Sequence, residues 1–67
     1  MTETQARNLA AACAECFEED EESTLVEASY WPPSKDWRLT LVTGNVRSTF
    51  HEIRTVEYIV NFHRSHI

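Results

Sequence analysis

Apolar residues recur with helical spacing near the start of the chain. They lie three or four residues apart and would form one face of a helix over residues 3–18. Thr2 precedes this segment and Gln5 comes three residues later, which is the spacing of a capping box. The apolar positions are Ala6, Leu9, Cys13 and Cys16, and Ala10 and Phe17 widen this stripe. The pattern therefore predicts an α-helix over residues 3–18.

Apolar and polar residues alternate in the middle of the chain, as they do in half-buried strands. The alternation covers residues 24–31 and residues 37–42, and a turn with two consecutive prolines separates the two segments. Gly44 and Asn45 then give the signal of a tight turn. We therefore expect a hairpin followed by a short third strand over residues 46–48.

The last segment, residues 50–64, carries two conflicting signals. Its many β-branched and aromatic residues favour a strand, whereas its periodicity favours a helix and its length exceeds that of a typical strand. Thr49 and Glu52 have the spacing of a second capping box. One helical face would hold Ile53, Val56, Val60 and His63. The periodicity decides for a helix over residues 50–64.

These elements predict one α+β domain over residues 1–67. The order α-β-β-β-α gives a small two-layer sandwich, with both helices on one face of an antiparallel sheet. The order resembles that of the double-stranded-RNA-binding domain in topology only. The chain has no basic helix start to hold phosphates, and its net charge of −5 has the wrong sign for RNA.

Charge is distributed unevenly along the chain. Residues 1–34 contain one base and eight acids, whereas residues 35–67 contain five bases and three acids. The acidic half repels phosphates, so we expect no direct nucleic-acid binding; a basic protein surface or head-to-tail self-association suits it better. There is no apolar run long enough for a membrane helix and no secretory signal, which together indicate a cytoplasmic protein.

Two cysteines and two histidines form a possible metal-ligand set. Cys13 and Cys16 have the standard C-x₂-C spacing, and His63 and His66 supply two imidazoles, as tetrahedral zinc requires. With three strands the two helices run parallel, which places Cys16 and His63 at the same end of the domain. The alternative is that the cysteines are small core residues. A redox pair is disfavoured, because reactive pairs lie at a helix N-terminus and away from acids.

Two segments could contact another protein. The aromatic residues around the proline turn, Tyr30, Trp31 and Trp37, belong to the types that dominate interfaces. Alternatively, Trp31 and Trp37 pair across the hairpin and close the core. The second segment is an acidic run that could dock on a basic partner. It consists of Glu18, Glu19, Asp20, Glu21 and Glu22.

The sequence contains no recognisable nucleophile, phosphate loop or paired-carboxylate cleft, so we expect a protein that is not an enzyme. The leading hypothesis is a small acidic interaction or regulatory module that binds another protein, as a homodimer. Two alternatives stay open. One is a zinc-stabilised domain, and the other is an acidic nucleic-acid mimic that inhibits a nucleic-acid-binding protein.

Overall fold

The computed structural model describes residues 1–19 and 23–67 and confirms the predicted α-β-β-β-α order. The three strands form one antiparallel sheet in the order β1-β2-β3. Both helices pack on the same face of it, which makes the fold a two-layer α+β sandwich. The elements are α1 (Glu3–Cys16), β1 (Thr24–Trp31), β2 (Asp36–Thr43), β3 (Val46–Phe50) and α2 (Val56–Arg64).

The predicted capping box starts α1. The Thr2 hydroxyl accepts the Gln5 N–H at 3.2 Å, and the Gln5 side chain accepts the Thr2 N–H at 2.9 Å. The helix ends at Cys16, two residues earlier than expected, and its buried stripe ends at Phe17. At about 100° per residue, Phe17 lies about 20° from Ala6 around the helix axis and Cys16 about 80° away. Cys16 is therefore exposed, and placing it in the apolar stripe was wrong.

The third strand exists and is longer than predicted. It begins after the Gly44-Asn45 turn, in which Gly44 alone has a positive φ, of 57°. A positive φ at the first central residue is typical of a type II′ turn, which suits the twist of a hairpin. Pairing with β2 continues as far as Leu39↔Phe50.

Because β3 is longer, α2 starts later than predicted, and the predicted capping box of Thr49 and Glu52 is wrong. Thr49 is paired with Thr40 in the sheet, so it cannot cap a helix. Thr55 is the N-cap instead, and its hydroxyl accepts the N–H group of Tyr58 at 3.1 Å. Of residues 50–64 only Phe50 lies in a strand, and most of the β-branched and aromatic residues of the segment lie in α2. The helical periodicity therefore identified the helix correctly, but it holds only from Val56 onward.

The core lies between the sheet and the two helices. Leu39 and Leu41 of β2 are fully buried at its centre, and burying each such side chain contributes about 1.5–3 kcal/mol. Around them pack Cys13 from α1, Phe17 just after that helix, Phe50 from β3, and Ile59 and Val60 from α2. The helices thus cover one face of the sheet. Alternate residues of the strands, such as Leu25 and Glu27, point to the other face and line a shallow groove there.

The two helices run in the same direction, as the odd number of strands requires. Their C-terminal ends meet: Arg64 donates a hydrogen bond to the Cys16 carbonyl at 2.8 Å. The Arg64 guanidinium also lies 4.9 Å from the ring centre of Phe17, which contacts His63 edge-on.

Within residues 1–19 and 23–67, neither helix has the length and apolar character needed to cross a membrane.

Candidate functional site

The register of the first hairpin separates its two tryptophans. Tyr30 is paired with Trp37, and Trp31 is paired with Asp36. Because successive side chains of a strand point to opposite faces, Trp31 and Trp37 lie on opposite faces of the sheet. The expectation that they pair to close the core is therefore wrong. The cross-strand partner of Trp37 is Tyr30, whose ring centre lies 5.7 Å from that of Trp37.

Trp37 joins the hairpin to the start of α1. The Arg7 guanidinium lies over its indole ring, 5.3 Å from the centre, and the backbone N–H of Trp37 donates to the Met1 carbonyl at 3.0 Å. The Met1 ammonium group lies 2.7 Å from the Asp36 carboxylate. Its hydrogen bond is the main reason that the pKa of Asp36 is lowered. Trp37 is thus held in place and only partly accessible.

Trp31 stands on the sheet face that no helix covers. The Arg38 guanidinium lies 4.6 Å from the centre of its ring, a distance suited to a cation–π interaction. The Arg38 Nε atom is buried and has no hydrogen-bond partner among the described residues. Trp31 is 45% exposed and Tyr30 is 48% exposed. The end of this hairpin therefore presents aromatic surface together with positive charge, to which exposed Lys35 adds.

The acidic run begins at the opposite end of α1 from the hairpin turn. Glu18 and Glu19 are exposed just after the helix, whereas Asp20, Glu21 and Glu22 lie outside the described residues. A helix of 14 residues spans about 21 Å. The aromatic hairpin and the start of the acidic run are thus two separate surfaces. The nucleic-acid mimic, which depends on this run, stays a prediction.

The two cysteines have different surroundings. Cys13 is fully buried in the core, and burial is the main cause that raises the pKa of its thiol to about 11; the neighbouring Cys16 raises it further. Cys16 is exposed, and its sulfur lies 3.6 Å from the Ala12 carbonyl. Since the thiolate is the form that binds zinc or attacks a disulfide, Cys13 is poorly suited to either role.

The two histidines are engaged by other groups. His63 is buried, with Nε2 2.8 Å from the Thr43 hydroxyl and Nδ1 2.7 Å from the Ser48 hydroxyl. His66 Nδ1 lies 2.7 Å from the Phe62 carbonyl.

No three His, Cys, Asp or Glu side chains of residues 1–19 and 23–67 come together as a metal site. Cys16 and His63 do lie at the same end of the domain, as predicted. The structure nevertheless does not assemble Cys13, Cys16, His63 and His66 into the zinc site that their spacing suggested. The physical reason is that the ring nitrogens of His63 face hydroxyl groups and Cys13 faces the apolar core.

An aromatic row on α2 was not predicted from the sequence. Tyr58, Phe62 and His66 follow one another at intervals of four residues, and Phe50 packs edge-on against the first two. A groove of about 310 Å³ lies beside this row, next to the end of β3. The i, i+4 spacing of Tyr58 and Phe62 was a visible signal of neighbouring rings.

The hydroxyl network around His63 was also missed. The Thr24 and Thr43 hydroxyls are 2.7 Å apart, so a chain of hydrogen bonds runs from Thr24 through Thr43 and His63 to Ser48. This brings β1, β2, β3 and α2 together.

Comparison with known protein families, curated protein sequences and solved structures finds no match to this chain.

Proposed function

We propose that this protein is a protein-binding module that contacts its partner through the exposed end of the first hairpin. We define this hairpin surface as Tyr30, Trp31, Lys35 and Arg38. One observation carries the proposal: Trp31 is about half exposed on the uncovered face of the sheet, with Arg38 stacked over it at 4.6 Å. Trp, Tyr and Arg are the residue types that most often dominate the binding free energy of interfaces.

The hairpin surface is preorganised for binding. The ring of Trp31 and the guanidinium of Arg38 already hold each other, so a partner that covers them immobilises few additional torsions. The partner would also bury a large aromatic surface. The positive charge of the hairpin surface favours a partner that places acidic groups against it. A partner with a basic surface would instead suit the end of the domain that carries Glu18 and Glu19.

The proposal is binding rather than catalysis. Ser48 and His63 form a hydroxyl–imidazole pair that resembles a nucleophile and its base, but both residues are buried in the core between the sheet and α2. A substrate cannot reach them without local opening of the core. The hairpin surface contains no carboxylate and no histidine, the side chains that most often act in general acid–base chemistry.

Site-specific photo-crosslinking tests the proposal. A photoreactive phenylalanine analogue replaces Trp31, and a matched variant carries it at Tyr58, which is as exposed but lies on α2. We expect a defined covalent adduct with a polypeptide from position 31 and much less from position 58. Equal adduct yields at the two positions would show that contact is unspecific, and an adduct only from position 58 would move the binding surface to α2.

A substitution gives the complementary result. Trp31→Ala removes the exposed ring without touching the core, so the fold measured by circular dichroism should persist while the adduct or complex is lost. Trp37→Ala is a weaker probe, because Trp37 packs on Tyr30 and Arg7 and its loss also costs stability. Retention of full binding by Trp31→Ala would contradict the proposal.

A further inference from the structure

The outer edge of β1 carries backbone groups that no other segment of the described chain pairs with. Alternate residues of a strand direct their backbone N–H and C=O groups to opposite edges. The Trp37 N–H bonds to Met1 rather than to β1, so the odd-numbered residues of β2 point away from β1. Even-numbered residues of β2 therefore bond to odd-numbered residues of β1. It follows that Val26, Ala28 and Tyr30 direct their backbone groups outward.

This edge lacks the usual protection against strand pairing. Natural edge strands are short or carry prolines, bulges or several charges. β1 has eight residues and the single charge of Glu27, and its prolines come only after it ends. The other edge strand, β3, has five residues, and Met1 lies beside the chain just beyond its end. β1 is thus the edge more open to another strand.

We propose that β1 pairs antiparallel with β1 of a second copy of this chain, to form a two-fold symmetric dimer with a continuous sheet. This rests on the proposed function, since it names the partner that covers part of the hairpin surface. A two-fold contact needs a self-complementary edge, and the sequence of β1 meets that condition in one register.

The charge of Glu27 and the exposed apolar residues select that register. Pairing Val26 with Ala28 would set the two copies of Glu27 directly opposite each other, which is unfavourable. Pairing Val26 with itself would set Leu25 against Glu27 and leave Trp31 without a cross-strand partner. Registers centred on Ser29 or Tyr30 would leave Leu25 beyond the end of the partner strand. Pairing Ala28 with itself avoids all of these problems.

In the selected register, each exposed apolar residue of β1 gains an apolar partner. Leu25, which is 59% exposed, lies opposite Trp31 of the second copy, and Val26 lies opposite its Tyr30. Glu27 lies opposite Ser29. By symmetry each pair occurs twice. The exposed Leu25 and Trp31 thus have a common explanation at this interface.

The Glu27–Ser29 pair allows a charge test. Ser29→Glu places like charges opposite each other twice, so the dimer dissociation constant should rise by roughly 2- to 30-fold. Ser29→Lys should lower it by a similar factor. Within one chain Ser29 lies beside Arg38, so Ser29→Glu favours the fold of the single subunit while weakening the dimer. Sedimentation equilibrium from about 1 µM to 1 mM measures these constants.

Two further variants complete the test. Thr49→Glu adds the same charge to the same sheet face, but on β3, and should leave the dissociation constant unchanged. Glu27→Lys combined with Ser29→Glu restores opposite charges and should restore the dimer. A protein that stays monomeric at 1 mM overturns the proposal. The proposal is also overturned if Ser29→Glu and Thr49→Glu change the dimer dissociation constant equally, or if neither changes it.

The outcomes separate this proposal from the proposed function. If position 31 crosslinks to a different protein and Ser29→Glu has no effect on self-association, the hairpin surface binds a partner but β1 does not pair with itself. If the β1 pairing is correct, the photoreactive group at position 31 forms its adduct at Leu25 of the second copy. If position 31 gives no adduct and the chain is monomeric, both proposals fail.

Discussion

The hydroxyl oxygen of Ser48 lies 2.7 Å from Nδ1 of His63, inside the core. The other ring nitrogen of His63 is 2.8 Å from the Thr43 hydroxyl. A neutral imidazole is both a donor and an acceptor, so two hydroxyls can satisfy it fully. Desolvation lowers the pKa of His63, and the nearby His66 lowers it further. At neutral pH this ring is therefore uncharged.

Stability should fall in mild acid because of His63. Its pKa is below the ordinary value of 6.5 in the folded state, so below that pH the unfolded chain binds more protons than the folded one. The contribution of His63 to the free energy of unfolding should be constant above about pH 7. It should decrease as the pH falls below about 6.5, toward the lower pKa of the folded state. Urea unfolding at a series of pH values measures this. The decrease should persist in His51→Gln, whose exposed ring serves as the control, and should be absent in His63→Gln.

Removing the hydroxyl of Ser48 should destabilise the fold. Ser48→Ala leaves Nδ1 of His63 buried without a partner, which costs about 1–3 kcal/mol. Thr49→Ala is the matched control on the same strand, because Thr49 is exposed and its loss should cost less than about 0.5 kcal/mol. Urea midpoints of the two variants give the comparison. Equal midpoints would mean that the hydrogen bond contributes nothing.

The two thiols should react at very different rates in the folded protein. Cys16 is exposed, whereas Cys13 is buried and its pKa is raised to about 11, so at about pH 8 very little of it is thiolate. A chromogenic disulfide reagent should titrate one thiol quickly in native protein and both in urea. Cys16→Ser should abolish the fast reaction. Protection of both thiols, reversed by a chelator, would instead revive the zinc hypothesis.

The turn residues Lys35 and Gly44 should respond oppositely to substitution. Both have positive φ, 52° and 57°, a region that costs a non-glycine residue about 1–2 kcal/mol. Lys35→Gly should therefore raise the melting temperature by a few degrees, and Gly44→Ala should lower it. A Cβ at Gly44 would meet no atom within 4 Å, so the loss there is conformational only. Differential scanning calorimetry measures both changes.

Local patterns predicted the elements well where one signal acted alone. The alternation that predicted β1 gives its bounds, and the Gly44-Asn45 turn correctly implied a third strand. The prediction failed where two signals overlapped. Residues 50–64 contain the last residue of β3, a connection over residues 51–55 and α2, and the helix was predicted over all three. Only the tertiary pairing of Thr49 and Phe50 with β2 resolves that boundary.

The candidate site was harder to predict, because it depends on register and packing. Trp31 and Trp37 look equivalent in the sequence, and only the pairing of β1 with β2 places them on opposite faces. Thr43 and Ser48 face inward because the two-residue period of the strands puts them on the same face as Leu39 and Leu41. That His63 of α2 supplies their hydrogen-bond partners depends on tertiary packing, and no local pattern contains that information.

The contact between α1 and α2 has a consequence for folding kinetics. Each strand pair is joined by a short turn, whereas the hydrogen bond from Arg64 to Cys16 joins residues 48 positions apart. Closing that long loop costs more entropy than closing the hairpins, so we expect the strands to associate before the helices meet. Weakening the Arg64–Cys16 contact should then accelerate unfolding and leave the folding rate nearly unchanged. The lifetime of the folded state thus depends on a contact that forms late.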